Sequence, residues 1–339
     1  MIVTTELELE ELLSRPNAAD REAMANMGDL LILGVNGKMG PSLAMRARRA
    51  ADEAGVKTRV IGVSRFSSEA NRKLLEKSGV ETISADVLDD GDLSALPDCP
   101  AVISLAARKF GSTGDEPYTW AMNAYAPARI AERFKHSAIA TFSSGNVYPL
   151  TPVAHGGSTE DSPLEPVGEY AMSAVARERL LSYMSKKNGT PMAILRLNYA
   201  VELRYGVLLD IGLKVFKRET VDLRMGNANV IWQGDANSIC LRALRFAQSP
   251  PLVMNLTGPE TISVRQVATR FGELFGCKPG FSGEESPLAL LNNAAKCHRT
   301  FGYPTLALDD LIDLTGQWIC CDGPTLNKPT HFEARDGKF

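Results

Sequence analysis

Three glycines, at positions 34, 37 and 40, have the spacing of a turn that receives a phosphate. A short apolar run, Leu30–Leu33, precedes them, and an alanine-rich stretch over residues 42–54 follows with helical character. A strand, a tight turn and a helix start together lay a pyrophosphate on a helix N-terminus. In that arrangement Gly34 permits the sharp turn and Gly37 lets the backbone approach the phosphates. Gly40 lets the helix pack close to the strand. Asn36, Lys38 and Met39 complete the turn and are read with it as dinucleotide contacts.

The next strand ends in Gly62-Val63-Ser64-Arg65. A dinucleotide fold usually places an acidic residue there for the adenosine ribose hydroxyls. Here a hydroxyl and a guanidinium take its place, and the planar fork of Arg65 suits a 2′-phosphate. Lys38 is read as a second positive charge nearby, so NADP is favoured over NAD. Farther on, Asp86 and Val87 follow a third strand, with Asp86 suited to accept from the adenine amino group. The small residues of Leu105-Ala106-Ala107 leave room for the cofactor.

These residues need a frame to hold them. Strand-like runs at 30–33, 59–63, 81–84, 101–105, 138–142 and 192–195 alternate with helical runs at 42–54, 67–77, 118–135 and 170–187. That alternation predicts a Rossmann-type, doubly wound parallel sheet with right-handed crossovers. Pro127 should kink the third helical run, because it removes a backbone donor. Residues 1–27 read as a helical extension that caps the fold or joins a dimer contact. Residues 28–200 form the dinucleotide-binding domain. Residues 201–326 form mainly a smaller α/β substrate lobe, with segments at 202–217, 255–258 and 287–302, part of it returning to the first domain. Residues 327–339 read as a polar, extended or mobile tail.

With 339 residues, 44% hydrophobic, and a net charge of −3, the composition is that of an ordinary soluble globule. It offers no field that attracts nucleic acid or an anionic membrane. No apolar run approaches the ~18 residues needed to span a bilayer, and the acidic start is unlike a signal peptide. Six cysteines and four histidines are scattered without metal-ligand spacing. Free thiols and a cytoplasmic location are therefore expected, with no metal.

Further motifs stand at Thr141 to Pro149, a strand with a polar tip containing Ser143-Ser144-Gly145-Asn146, and at Glu169-Tyr170-Ala171-Met172-Ser173-Ala174. With the glycine triplet, Asn123, Arg196-Leu197-Asn198 and the stretch 296–303, the chain resembles the extended short-chain dehydrogenase/reductase superfamily, the NAD(P)-dependent epimerase/dehydratase group, over roughly residues 29–320. The resemblance implies that Ser144 hydrogen-bonds a substrate oxygen while Tyr170 exchanges its phenolic proton with it. It also implies that Asn123 is a cofactor-side residue and that Asn198 contacts substrate or nicotinamide. Gly145 and Asn146 occupy the positions of the acid pair of family dehydratases, so water elimination is disfavoured. The stretch 226–232 lacks the arginine that often binds a nucleotide-sugar diphosphate. Trp232 is read either as an apolar wall for substrate or as core. Family members often dimerise through the helices matching 118–135 and 170–187, where Ile130, Phe134, Leu180 and Leu181 would serve.

The family lysine four residues after the tyrosine is missing, and Ala174 stands there. In the family that lysine binds the nicotinamide ribose and lowers the tyrosine pKa. A free phenol titrates near ~10, so bringing it to ~7 is worth roughly 4 kcal/mol. Three explanations compete. Arg177, seven residues along the same helical face, replaces the lysine; or the chain is a natural or engineered inactive form that keeps its cofactor; or Tyr170 acts only as a proton donor. Two function classes follow: an NADP(H)-dependent oxidoreductase or epimerase for a small sugar-like or other hydroxy/keto substrate, and a non-catalytic dinucleotide-binding protein.

Overall fold

The computed structural model describes residues 2–337 except Ser68, Phe110, Ser112, Thr113 and Pro329. Seven strands form the main sheet: β1 Leu30–Leu33, β2 Val60–Ser64, β3 Glu81–Ser84, β4 Ala101–Ser104, β5 Ala138–Ser144, β6 Met192–Leu197 and β7 Leu252–Leu256. All pair in parallel, in the spatial order 3-2-1-4-5-6-7. The order reverses direction between β1 and β4, and the crevice outside the strand ends at such a point is where ligands bind. Residues 252–256 thus extend the main sheet, so part of the segment 201–326 returns to it.

Strand β1 is buried on both faces, which is why its apolar run is continuous rather than alternating. Leu30 and Ile32 pack among residues of two helices, α3 (Gly40–Glu53) and α10 (Gln233–Ala243). Leu31 and Leu33 face the other layer, against Ile130, Phe134 and Leu181. The helical run predicted at 118–135 is three pieces: α6 (Glu116–Trp120), a π-helical turn (Ala121–Tyr125) and α7 (Ala126–Arg133). Pro127 has no N–H for the Asn123 carbonyl one turn back. That carbonyl instead accepts from Arg177 Nε at 2.9 Å. Arg177 lies on α8 (Gly168–Asn188), the helix that carries Tyr170.

The N-terminal helices α1 (Glu6–Ser14) and α2 (Ala18–Ala25) lie on α3 and α10. Both start with a capping box, at Thr5 and Asn17. Leu9 and Leu13 enter the core of the smaller lobe, while a buried Arg46–Asp20 pair, 2.8 Å apart, fastens α2 to α3. The extension is therefore packed on the body of the same chain. The lobe core gathers α9 (Val207–Phe216), α11 (Val264–Leu274) and α13 (Leu308–Cys320) around Phe271 and Trp318.

The polar C-terminal segment departs from the expected extended or mobile tail. Asp210 Oδ2 accepts from both the amide and hydroxyl of Thr330, at 2.8 and 2.6 Å. Phe332 is buried in the lobe core, and Arg335 Nη1 donates to the carbonyls of Arg224 and Leu288. Polarity misled here because these groups spend their hydrogen bonds on the lobe instead of on water. Pro329, Lys338 and Phe339 lie outside the described residues.

Candidate active site

The C-terminal ends of β1, β4, β5 and β6 open into one cavity of about 310 Å³, closed on the far side by the lobe and by Lys328 and Thr330. At its β1 end the turn is built from backbone. Gly34 and Val35 donate to the Val63 carbonyl at 2.8 and 3.1 Å, and Gly37 donates to Gly34 at 3.0 Å. Gly34 has φ +80°, and a Cβ there would sit 2.8 Å from the Ala106 amide nitrogen. A Cβ on Gly40 would overlap the Val35 carbonyl. Both positions therefore require glycine. No side chain caps the N-terminus of α3, where Gly40 donates to the Gly37 carbonyl at 3.3 Å and Pro41 carries no N–H. Leu105, Ala106 and Ala107 form the opposite wall, and the Ser104 hydroxyl beside them is buried without a hydrogen-bond partner among the described residues. A close-approach turn, a helix start without a side-chain cap and an orphaned hydroxyl on one cavity fit a dinucleotide whose pyrophosphate lies on the turn.

At the outer edge, Ser64 ends β2 and Arg65 follows it, exposed. The Arg65 guanidinium lies 3.6 Å from the Asp86 carboxylate, which also accepts from the Leu88 amide at 2.9 Å. Val87 is buried beside it, and Asn36 accepts from Asn71 Nδ2 at 2.8 Å. Lys38 does not join Arg65. Its Nζ donates to the Ala200 carbonyl at 2.8 Å and lies 3.7 Å from the Tyr205 ring centroid. It crosses toward β6, whereas Arg65 ends β2 on the other side of β1. A long stem and a nearby carbonyl acceptor outweigh sequence adjacency. Removal from water lowers the Lys38 ammonium to about 7.

At the inner end, Ser144 and Tyr170 line the same cavity, together with Asn146, Asn198 and Met39. Ser144 Oγ accepts from the Asn146 amide at 3.2 Å, which leaves its own proton free to donate. Beneath it a buried polar chain fixes the strand end. Ser143 Oγ donates to Glu178 at 2.5 Å, and Glu178 pairs with Arg196 at 2.7 Å. Arg196 donates to the Tyr148 hydroxyl, which donates to Asn255 Oδ1 at 2.8 Å. Burial raises the Tyr148 pKa.

Ala174 is fully buried against Val147 and Tyr148, outside the cavity lining. Arg177 reaches the cavity instead. Its Nε donates to the Asn123 carbonyl, its Nη2 to Asn123 Oδ1 and its Nη1 to the Phe142 carbonyl, at 2.9, 2.9 and 2.7 Å. Asn123 is itself fully buried, with its amide donating to the Arg108 carbonyl and to Ser173 Oγ. It holds Arg177 and the loop after β4 in place and is not among the residues that line the cavity. Gly145 also lies off the cavity, pressed against the Asn198 and Asn292 side chains. Trp232 belongs to the lobe core, so of its two readings the core one describes its place.

The cavity lining also includes residues that the sequence motifs do not single out, among them Ser104, Lys109, Tyr199, Tyr205, Val207, Lys328 and Thr330. Tyr199 has φ +45°, a left-handed backbone that a bulky residue rarely adopts and that marks a held site. Its position one residue after Asn198 was the available signal. Among the described residues no cluster of His, Cys, Asp or Glu is arranged to hold a metal ion, and no helix is long and apolar enough to cross a membrane.

The NAD dependent epimerase/dehydratase family model matches residues 30–201. No curated protein sequence matches the chain. Among solved structures, UDP-glucuronic acid 4-epimerase from Bacillus cereus with UDP-glucuronic acid and NAD superposes with a TM-score of 0.71 at 19% identity. The match covers 86% of this chain and 99% of that one. UDP-glucose 4-epimerase from Thermotoga maritima with UDP-glucose gives 0.68 at 16% identity, over 86% and 98% of the chains. The dTDP-glucose 4,6-dehydratase from Bacillus anthracis with NAD gives 0.70 at 15% identity, over 86% and 96%. The family match covers half of the chain. This chain belongs to the NAD-dependent epimerase/dehydratase family, enzymes of the extended short-chain dehydrogenase/reductase type that bind a nicotinamide dinucleotide.

Proposed function

We propose that the protein is an NADP(H)-dependent oxidoreductase or epimerase acting on a small sugar-like or other hydroxy/keto substrate. The observation that carries this reading is the shared cavity, which joins the glycine turn to Ser144 and Tyr170. When bound, the dinucleotide supplies or accepts the hydride. Ser144 donates its free hydroxyl proton to the substrate oxygen, and Tyr170 exchanges the phenolic proton with that same oxygen. Gly145 and Asn146 carry no titratable group, which weighs against net water elimination. Arg177 supports the first explanation for the missing lysine. It is a buried cation whose charge reaches Tyr170 and whose place is set by three carbonyl acceptors.

Arg65 supports NADP over NAD, because an exposed guanidinium at the end of β2 suits a 2′-phosphate. Calorimetric titration of both cofactors tests this. The expected result is at least tenfold tighter NADP(H) binding, about 1.4 kcal/mol, abolished by Arg65→Ala. Equal affinities would reject it.

A homodimer through α6, α7 and α8 fits the surface. Ile130, Phe134 and Leu181 are core and unavailable, but Trp120, Tyr125, Leu180 and Tyr183 are exposed on these elements. Light scattering at micromolar concentration is expected to give twice the 36.7 kDa chain mass. The six unpaired cysteines support a reducing, cytoplasmic setting.

A further inference from the structure

The C-terminal segment does more than pack on the lobe. Asp210 holds Thr330, Phe332 sits in the lobe core, and Arg335 donates to the Arg224 and Leu288 carbonyls, each at 3.0 Å. From there the segment reaches Gly168, the first residue of α8. Gly337 and Gly168 meet backbone to backbone. A Cβ on Gly337 would lie 2.1 Å from the Val167 carbonyl oxygen, and one on Gly168 would lie 2.5 Å from the Gly337 carbonyl oxygen. Both have positive φ, +71° and +83°, so the contact is built for residues without side chains. Residues 330–337 thus form a strap from the lobe to the turn of helix that carries Tyr170.

The strap crosses the cleft beside the reacting groups. Thr330 lines the main cavity with Ser144 and Tyr170. Ala334, Arg335 and Gly337 close a separate gap of about 40 Å³, whose other walls include Asn146, Tyr148 and Tyr199. Asn146 and Tyr199 also line the main cavity, so the gap marks where that cavity would continue without the strap. Such a volume holds a few waters and not a sugar ring. Charge sets no such limit. The described residues that line the main cavity include Lys109 and Lys328 and no carboxylate, so nothing there repels an anion.

We propose that residues 330–337 fix the size of the substrate. The site takes a compact hydroxy or keto compound that ends between Asn146 and Tyr199. Space, not charge, excludes a substrate extended by a nucleoside diphosphate. This rests on the reading of Ser144 and Tyr170 as the reacting groups.

Calorimetric titration of the full chain with UDP, at saturating NADP(H), tests it. Only binding that persists with the cofactor present counts, since UDP on the glycine turn is displaced. The parent should show no UDP binding at millimolar concentration. Gly337→Val drives a side chain into the Val167 carbonyl, and Phe332→Ala removes the anchor in the lobe core. Hydrogen exchange reads the loosening at the amides of Thr330, Phe332 and Ala334, which the closed strap hydrogen-bonds. The loosened chain should bind UDP about tenfold or more tightly than the parent. Gly337→Val spares the lobe core, so it serves should Phe332→Ala fold poorly, with circular dichroism checking each fold. UDP binding by the parent overturns the proposal, and so does a loosened strap without gained binding. Exchange that neither variant changes also overturns it, because the contacts that pin the strap are part of the proposal. A chain that turns over no carbonyl or sugar substrate would overturn the catalytic reading of Tyr170 instead, and gained UDP binding would still support the strap as the barrier.

Discussion

At the β1 end of the cleft, the lining is set by backbone conformation: Gly34, Gly37 and Gly40, beside Lys38 and Met39. At the β5 end, what faces a ligand is side chains: Ser144 from β5, Tyr170 and Arg177 from α8, Lys109 from the loop after β4, and Tyr199 and Tyr205 from beyond β6. The backbone end follows its family pattern, because three glycines and a helix start leave little freedom. The side-chain end departs from the pattern at Ala174, and its lining includes the cation Arg177, one helical turn farther along α8. A charge is interchangeable in a way that a φ of +80° is not. Coulombic support depends on distance rather than on which strand or helix delivers it.

The largest effect that separates the two ends is expected from Tyr170→Phe. It removes the exchangeable proton and leaves the glycine turn untouched. A kcat loss of about 10²-fold or more is expected, with cofactor Kd changed less than twofold. A parallel loss of cofactor affinity would show that the ends are not separable.

Arg177→Leu probes how far the inner end is structural. It leaves the Asn123 and Phe142 carbonyls and Asn123 Oδ1 without their buried donor. Orphaning such groups costs about 1–3 kcal/mol, read as a lower midpoint of denaturant unfolding. A stability change near zero would mean that water takes over these bonds and that Arg177 is there for its charge alone.

Lys38 bridges the ends, starting in the turn and finishing over Tyr205. Its pKa is lowered to about 7 by burial, so between that value and the ordinary lysine range the unfolded chain binds the extra proton. Its contribution to stability therefore rises with pH across that window. Lys38→Met should flatten this rise in thermal melts of the cofactor-free protein between pH 7 and about 10. An unaltered slope would place the ammonium in water.

The contrast also explains what could be read from sequence. Strands β1 and β3 fall on their expected residues, and the glycine turn lies where its spacing put it, because local pattern dictates local backbone. Ser144 and Tyr170 are legible as motif residues, and the structure brings them to one cavity. Lys109 and Lys38 were not legible in their places, since side-chain destination depends on acceptors far along the chain: Ala200 is 162 residues from Lys38. Asn123 is legible only through the family resemblance, whereas its contacts depend on Pro127, which leaves its carbonyl without an intrahelical donor, and on Arg177, which supplies one. The C-terminal segment looked solvated by composition, and only the partner carboxylate of Asp210 turns Thr330 inward.

The central claim is that the cleft already holds the charge that Ala174 does not provide. Ala174→Lys measures it directly, by kcat on the same carbonyl and sugar substrates for parent and variant. Packed against Val147 and Tyr148, the added ammonium has no vacant place, so activity is expected to stay flat or fall. A rise of about 10²-fold or more, the scale of restored acid–base support, would contradict the claim and show that the parent lost its chemistry with its lysine.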